Sequence, residues 1–302
     1  MQTRPVPPSA SAPTQRLAIG AMLCGSALWG LYWLPLRLIE QTGLAGLWAI
    51  ALIYLSATAV FLFLARGDLL DLRRVSRWML GIGLSSAISG VAFSIGVIEG
   101  EVARVLILFY LSPIWSVLLA RLVLREPLAP VTIPALVVAL VGAGMMLGAE
   151  PVVEDVGRAD LLGLVAGLAF ALTNVQLRAA SDLPARLKNL AACYLIPPLA
   201  IGAALATDVP LIAPPWAVVA SVGLGLVWMC LMVAAVQFGV SHMPLQRSSV
   251  LLLFELVVGA VSAAWIAGET LSPWELAGGL CIVAAGLAVV WGRMPTTGNT
   301  RA

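Results

Sequence analysis

The chain has 302 residues, of which 61% are hydrophobic and only 11% charged, and its net charge at neutral pH is +2. A soluble protein of this length needs many more polar side chains to cover its surface, so the composition indicates an integral membrane protein. The small net charge gives no reason to expect a nucleic acid partner.

A helix that crosses a bilayer needs about 20 apolar residues, because each residue rises about 1.5 Å through roughly 30 Å of hydrocarbon. This criterion predicts an all-α integral membrane protein with ten transmembrane helices, called spans below. The first is too long for a secretory leader and lacks a cleavage pattern, so we expect it to be retained. In chain order the predicted spans are Leu17–Ile39, Ala45–Ala65, Trp78–Ile98, Val102–Leu124, Val131–Gly148, Leu161–Arg178, Asn189–Ala206, Trp216–Val240, Met243–Ala267 and Pro273–Trp291.

The basic residues near the span ends indicate the orientation. If the N-terminus is cytoplasmic, nearly all of them lie on the cytoplasmic side, and Arg158 is the clear exception. A flexible Pro- and Ser-rich tail at 1–15 and a second tail at 293–302 are then both cytoplasmic. The cytoplasmic set is Arg4, Arg16, Arg66, Arg73, Arg74, Arg77, Arg121, Arg125, Arg178, Arg186, Lys188, Arg293 and Arg301. The acidic residues assigned to the opposite side are Glu40, Glu99, Glu101, Glu150, Glu154, Asp155, Asp160, Asp208, Glu269 and Glu275.

The segment from Ala103 to Met146 recurs about 143 positions later, at Gln246 to Val289. Each copy contains the junction Glu-x-Leu-x-Pro, spelled REPLAP and GETLSP, and five spans per half put the two junctions on opposite faces. The sequence therefore predicts two inverted five-helix repeats, at 16–149 and 150–292. Such repeats are typical of carriers that work by alternating access. The alternative is a duplication kept for packing.

Taken together, these features resemble the EamA-type ten-helix members of the drug/metabolite transporter superfamily. The motifs that carry the resemblance are Ala27-Leu28-Trp29-Gly30 with Leu34-Pro35, the Ser112-Pro113 step and the two Glu-x-Leu junctions. The resemblance implies export or exchange of small metabolites across the bacterial inner membrane, and among the branches the chain looks most like aromatic amino acid exporters.

Glu255 is the strongest candidate for a functional residue. It lies about twelve residues into the ninth span, roughly 18 Å deep. An ionised carboxylate costs at least about 2.5 kcal/mol at that depth, so it should face a cavity or a partner. It is expected to bind a substrate ammonium or to carry a proton. The alternative is a structural ion pair with Arg247, two helical turns earlier.

Arg104 and Arg247 begin the two repeat-related spans, four and nine. They could clamp a carboxylate at each mouth, since guanidinium binds carboxylate through two parallel hydrogen bonds, or they could simply extend to the lipid headgroups. Pro113 is expected to kink the fourth span and to act as a hinge. Leu256 stands at the equivalent position of the ninth span, so no second kink is expected there.

Several aromatic and polar residues lie inside spans and away from their ends. They could line a cavity that stacks on a planar apolar side chain, or they could be packing residues. With Glu255, the predicted substrate-binding residues are Trp29, Trp33, Phe93, Tyr110, Asn174 and Trp228.

Enzyme chemistry and ATP hydrolysis lack their usual motifs, because the chain has one histidine, His242, and no G-x-S-x-G, H-E-x-x-H or Gly-Lys phosphate loop. No cofactor or metal is expected, and the four cysteines are interpreted as small core residues. We expect a cavity between spans one, three, four, six, eight and nine, surrounded by membrane lipid. Spans five and ten would be peripheral or form a homodimer. Export of another amphipathic metabolite or drug, a channel, a structural protein and a membrane enzyme are the alternatives.

Overall fold

The computed structural model describes residues 12–70, 72–100, 102–148, 157–266, 268 and 271–292. Within this part of the chain every regular element is helical. Some of the residues assigned to the two faces above lie outside it: Arg4, Glu101, Glu150, Glu154, Asp155, Glu269, Arg293 and Arg301. Most of the two tails lies outside it too, as do the side chains of Glu40, Arg73, Arg74 and Arg77.

The helices group into ten segments along the chain. The first half contains α1 (Ala12–Leu31), α2 (Trp33–Glu40), α3 (Gly46–Ala65), α4 (Leu72–Glu99), α5 (Val102–Phe109), α6 (Ser112–Leu119) and α7 (Thr132–Met146), with a π-helical turn at Ala120–Leu124 and a 3-10 turn at Asp68–Leu70. The second half contains α8 (Arg158–Ala179), α9 (Ala185–Cys193), α10 (Ile196–Ala206), α11 (Pro215–Leu224), a π-helical turn at Gly225–Met229, α12 (Cys230–His242), α13 (Leu245–Leu252), α14 (Phe254–Ile266) and α15 (Pro273–Trp291).

Nine of these segments are long and apolar enough to cross a membrane, and Thr132–Met146 is a shorter apolar helix. The prediction of an all-α, ten-helix membrane protein is therefore confirmed. Several predicted boundaries differ by a few residues; the seventh span, for example, begins at Ala185 and not at Asn189. The hydrophobic run stops at Lys188, but this residue is only 5% exposed inside the bundle, so the helix continues past it.

The first span of each half packs against the third and fourth spans of the other half. The first span, α1–α2, lies along α12 and α14, while the sixth, α8, lies along α4, α5 and α6. Helices α7 and α15 pack on each other, and so do α3 and α10. These main contacts between spans are thus matched by contacts that exchange the halves, as an inverted repeat requires.

Four spans are broken near the membrane interior. The first, fourth and seventh break at Tyr32, at Tyr110–Leu111 and at Tyr194–Leu195, in each case two or three residues before a proline. Proline cannot donate to the carbonyl one turn earlier, so the helix is interrupted there.

The ninth span also breaks, at Leu253, and the expectation that the fourth-span kink has no counterpart is wrong. No proline is involved at this position. Instead the Leu253 amide donates to Val250 O at 3.3 Å and the Leu256 amide donates to Leu253 O at 3.1 Å, two short-range bonds that tighten the chain into a 3-10 turn. Tyr110 and Leu253 are 143 positions apart, so the two breaks occupy equivalent places in the repeat.

Candidate functional site

The two broken spans meet through a hydrogen bond between Tyr110 and Glu255. The Tyr110 hydroxyl donates to Glu255 Oε1 at 2.8 Å, and each residue lies beside the break in its own span. Among the described residues Glu255 makes no ion pair, and its side chain is half-buried. The arrangement leaves the second carboxylate oxygen available to an incoming donor, such as an ammonium group.

An aromatic cluster continues from Tyr110 into the first half. Phe109 contacts Tyr110, Phe93 and Phe170, with ring centroids 5.6, 5.0 and 5.5 Å apart. These rings come from the third, fourth and sixth spans. The structure therefore connects Phe93 to Tyr110 and Glu255 through Phe109, and it adds Phe109 and Phe170 to the cluster. Sequence reasoning did not single out these two, because interior phenylalanines are usually packing residues.

On the opposite side of Glu255 the first span comes unusually close. A side chain at Gly30 would overlap the carbonyl oxygen of Glu255, so only glycine permits this approach. One turn further, Trp33 donates its indole N–H to Ser262 Oγ at 2.9 Å. Gly167 of α8, in the second half, makes a corresponding close approach to the fourth span, because a side chain there would lie 2.7 Å from the Phe109 carbonyl oxygen.

Trp29 and Trp228 belong to a neighbouring contact between the first and eighth spans. Trp228 donates its indole N–H to Leu28 O at 3.1 Å, and Trp29 packs edge-on against Tyr32 at 6.0 Å. Neither makes a described polar contact with Glu255. Asn174 is buried in α8, and Pro113 is buried in the first turn of α6.

Arg104 and Arg247 are both engaged within the protein. Arg104 Nε is 2.7 Å from Asp160 Oδ1, and the other oxygen of Asp160 accepts from the Gly157 amide at 2.8 Å. Arg247 donates to Gly292 O at 2.7 Å, at the end of α15, and does not pair with Glu255. The proposed structural pair between Glu255 and Arg247 is therefore not formed.

A polar network lies at the end of the bundle opposite to Asp160. Sequence reasoning did not predict this network. Glu126, the acid of the first repeat junction, binds Arg178 Nε at 3.1 Å and accepts from the Leu245 amide at 3.2 Å. Gln246 donates to Pro127 O at 2.8 Å and accepts from Thr132 Oγ1 at 2.6 Å. The recurrence of Glu126 in both copies of the repeat was the sequence signal that could have identified this network. These bonds join the first half to the second at one face.

Two cavities lie away from Glu255. One, of about 350 Å³, lies between the first and eighth spans, and its walls include Pro35, Leu38, Trp216 and Trp228. The other, of about 240 Å³, lies beside Arg178 and is lined by Lys188, Gln237 and Ser241 as well.

The remaining candidates have structural surroundings. His242 stacks on Phe238 at 4.2 Å, and its Nδ1 lies 2.8 Å from Phe238 O. Cys193 is buried as expected, whereas Cys24 is exposed on the helix surface. In the described part of the chain no group of three or more His, Cys, Asp or Glu could hold a metal ion. That the protein needs no cofactor stays a prediction.

Comparisons with known proteins agree with this architecture. The model of the EamA-like transporter family matches residues 16–148. An uncharacterized transporter of Archaeoglobus fulgidus is 26% identical over 227 residues, which is 73% of this chain and 78% of the relative. One crystal structure superposes with a TM-score of 0.76 over 96% of this chain and 100% of its own, at 16% identity, which supports the fold alone.

The helices of the described part that are long and apolar enough to cross a membrane support a multi-pass membrane protein, and the proteins that it resembles are transporters. Residues 16–148, somewhat less than half of the chain, are thus similar to the EamA-like transporter family that the sequence motifs indicated.

Proposed function

We propose that this protein is a transporter that exports or facilitates the passage of small metabolites, preferably aromatic amino acids, across the bacterial inner membrane by alternating access. The observation that carries the proposal is the Tyr110–Glu255 bond at the paired helix breaks. An acidic side chain that has no ion-pair partner among the described residues, next to a cluster of aromatic rings, suits a ligand that combines an ammonium group with a planar apolar side chain.

Glu255 is the proposed ligand for the substrate ammonium. Tyr110 holds one carboxylate oxygen, which orients the group and stabilises its charge, and the other oxygen then meets the substrate. Phe93, Phe109 and Phe170 lie on the same side as Tyr110 and would face the substrate ring. Recognition thus combines one charged contact with stacking.

The packing between the halves supports alternating access. The main contacts between spans come in pairs that exchange the halves, and an ion pair joins the halves at each end, Glu126–Arg178 at one and Arg104–Asp160 at the other. In the proposed cycle the ion pair at one end breaks when the site opens to that end. The helix breaks at Tyr110–Leu111 and Leu253, next to the site, would absorb the movement.

A second candidate function is export of an amphipathic amine, such as a drug. It is favoured by the absence, among the described contacts of Glu255, of a basic side chain that could hold a substrate carboxylate. An amine without a carboxylate would satisfy Glu255 as well as an amino acid does.

Uptake by proteoliposomes tests the proposal. Labelled phenylalanine, tryptophan, threonine and methionine are supplied with and without a pH gradient, and phenethylamine serves as the amine without a carboxylate. A carrier shows faster exchange when unlabelled substrate is present on the far side, whereas a channel does not.

Glu255→Gln should reduce amino acid uptake at least about tenfold, because a hydrogen bond to a charged group contributes about 1.5–3 kcal/mol. Glu275→Gln is the matched control. Glu275 caps α15 together with Ser272, a role that glutamine can take over. Normal uptake by the Glu255 variant at every pH would remove the proposed role of this residue. Uptake of phenethylamine alone would favour the second candidate.

A further inference from the structure

A charged cluster around Lys188 and Arg178 lies at the end of the bundle that the charge distribution assigns to the cytoplasm. Lys188 of α9 is only 5% exposed, and its Nζ lies 3.3 Å from Ser241 Oγ in α12. Arg178, in the last turn of α8, donates through Nη1 to the carbonyl oxygen of the same serine at 2.6 Å. Two cations from different helices therefore converge on Ser241.

The charges of this cluster do not balance. Arg178 is neutralised by Glu126 at 3.1 Å. Among the described residues no carboxylate lies within ion-pair distance of Lys188. Asp182 is exposed, accepts a hydrogen bond from Ser181 and acts on Lys188 only from a distance. A buried ammonium without a counter-charge is strongly unfavourable, so the cluster carries one uncompensated positive charge that calls for an anion.

The polar groups around Lys188 present donors. Gln237 Nε2 donates to Ser241 Oγ at 2.7 Å, and Lys188 donates to the same oxygen. Since this oxygen accepts both bonds, the hydroxyl hydrogen of Ser241 points to another acceptor. These groups line the cavity of about 240 Å³, together with Arg178 and His242. A cavity with donors, a buried cation and room for a small ligand is suited to an anion.

We propose that this cavity binds a carboxylate, and that in the transport cycle the carboxylate is that of the substrate as it arrives from the cytoplasm. A single uncompensated positive charge matches a monoanion better than a phosphate dianion. The binding site itself follows from the cluster. Its role in transport rests on the proposed function, since an amino acid has both a carboxylate for Lys188 and an ammonium for Glu255. Because both groups are attached to the same carbon of an amino acid, the substrate contacts Lys188 and Glu255 in succession and not at the same time.

Thermal unfolding of the purified full-length protein in detergent tests the binding site without any assumption about transport. Sodium acetate is compared with sodium chloride at equal ionic strength. Acetate at saturation should raise Tm by about 3 °C or more. Lys188→Met should have a higher Tm than wild type in chloride, because the buried charge is gone, but should show no rise with acetate. Lys188→Arg should keep the rise.

Arg186→Met is the matched control on the same helix, because Arg186 pairs with Asp68 at the surface. It should keep the full acetate effect. An acetate effect that is absent in wild type, or retained in Lys188→Met, overturns the proposal. Inorganic phosphate and phosphatidylglycerol micelles are run in parallel. If either of these stabilises the wild type through Lys188 while acetate does not, the site binds a phosphate group and the carboxylate assignment is wrong.

Transport measurements then separate this inference from the proposed function. Lys188→Met should raise the half-saturation concentration for phenylalanine at least about tenfold and leave that for phenethylamine unchanged, since only phenylalanine has a carboxylate. If acetate binds but no amino acid is transported, the proposed function fails and the anion site stands. Equal effects on the two substrates would refute a role in carboxylate recognition.

Discussion

Replacing Tyr110 by phenylalanine removes one hydroxyl and the 2.8 Å hydrogen bond to Glu255 Oε1. The ring can keep its contact with Phe109. A hydrogen bond to a charged group contributes about 1.5–3 kcal/mol, and each 1.4 kcal/mol is a factor of about ten in affinity. If Tyr110 holds the carboxylate that binds substrate, the half-saturation concentration for phenylalanine exchange should rise about tenfold or more.

A double-mutant cycle with Glu255→Gln isolates this bond. A neutral hydrogen bond contributes only about 0.5–1.5 kcal/mol, so the same tyrosine substitution should cost about 1 kcal/mol less in the glutamine background. That difference is roughly fivefold in half-saturation concentration. Phenylalanine exchange in proteoliposomes measures all four proteins. Equal fold-changes in the two backgrounds would refute the reasoning.

Tyr194→Phe is the matched control for the loss of a tyrosine hydroxyl. The Tyr194 hydroxyl donates to Met79 O at 3.3 Å, away from Glu255. Its removal should leave the half-saturation concentration unchanged. A shift as large as that of Tyr110→Phe would show that the assay responds to a general loss of packing.

Two further substitutions test the contacts between the halves. Gly30→Ala should lower Tm and the yield of folded protein, because the new methyl group overlaps the ninth span, whereas Gly20→Ala should not, because nothing lies within 4 Å of that position. Similar behaviour of the two variants would argue against the close approach. Glu126→Gln leaves a buried guanidinium without its counter-charge and should cost about 3–5 kcal/mol. Arg186→Met breaks an exposed pair worth about 1 kcal/mol or less, and equal losses in urea unfolding would contradict the assigned burial.

The sequence predicted the ten spans well, because helices that face lipid and helices that face the bundle are both apolar. The proline rule predicted the break in the fourth span and failed for the ninth. At Leu253 the cause is a tight turn in the backbone together with packing against Gly30, and neither leaves a mark in the local sequence.

The candidate site was less predictable than the fold. Glu255 was identifiable alone, because charge at membrane depth is costly. Its bond to Tyr110 spans 145 positions and depends on how the two halves meet. The repeat did contain a usable signal, since Tyr110 is equivalent to Leu253, only two residues from Glu255. Equivalent positions near a two-fold axis approach each other. Applied to the fourth and ninth spans, this rule could have predicted that Tyr110 lies near Glu255.

The interlocking of the halves has a consequence for biogenesis. The carbonyl of Leu28, in the first span, accepts from Trp228, a residue 200 positions later. At about 5–20 residues per second the ribosome needs roughly 10–40 s to make that length of chain. During this time the surface of α1 that ends up against α12 and α14 has no native neighbour, and the nascent first half must wait in the bilayer beside lipid or an insertion factor. Variants that destabilise helix α1 should therefore be degraded during synthesis to a greater extent than expected from the free energy of unfolding of the finished protein.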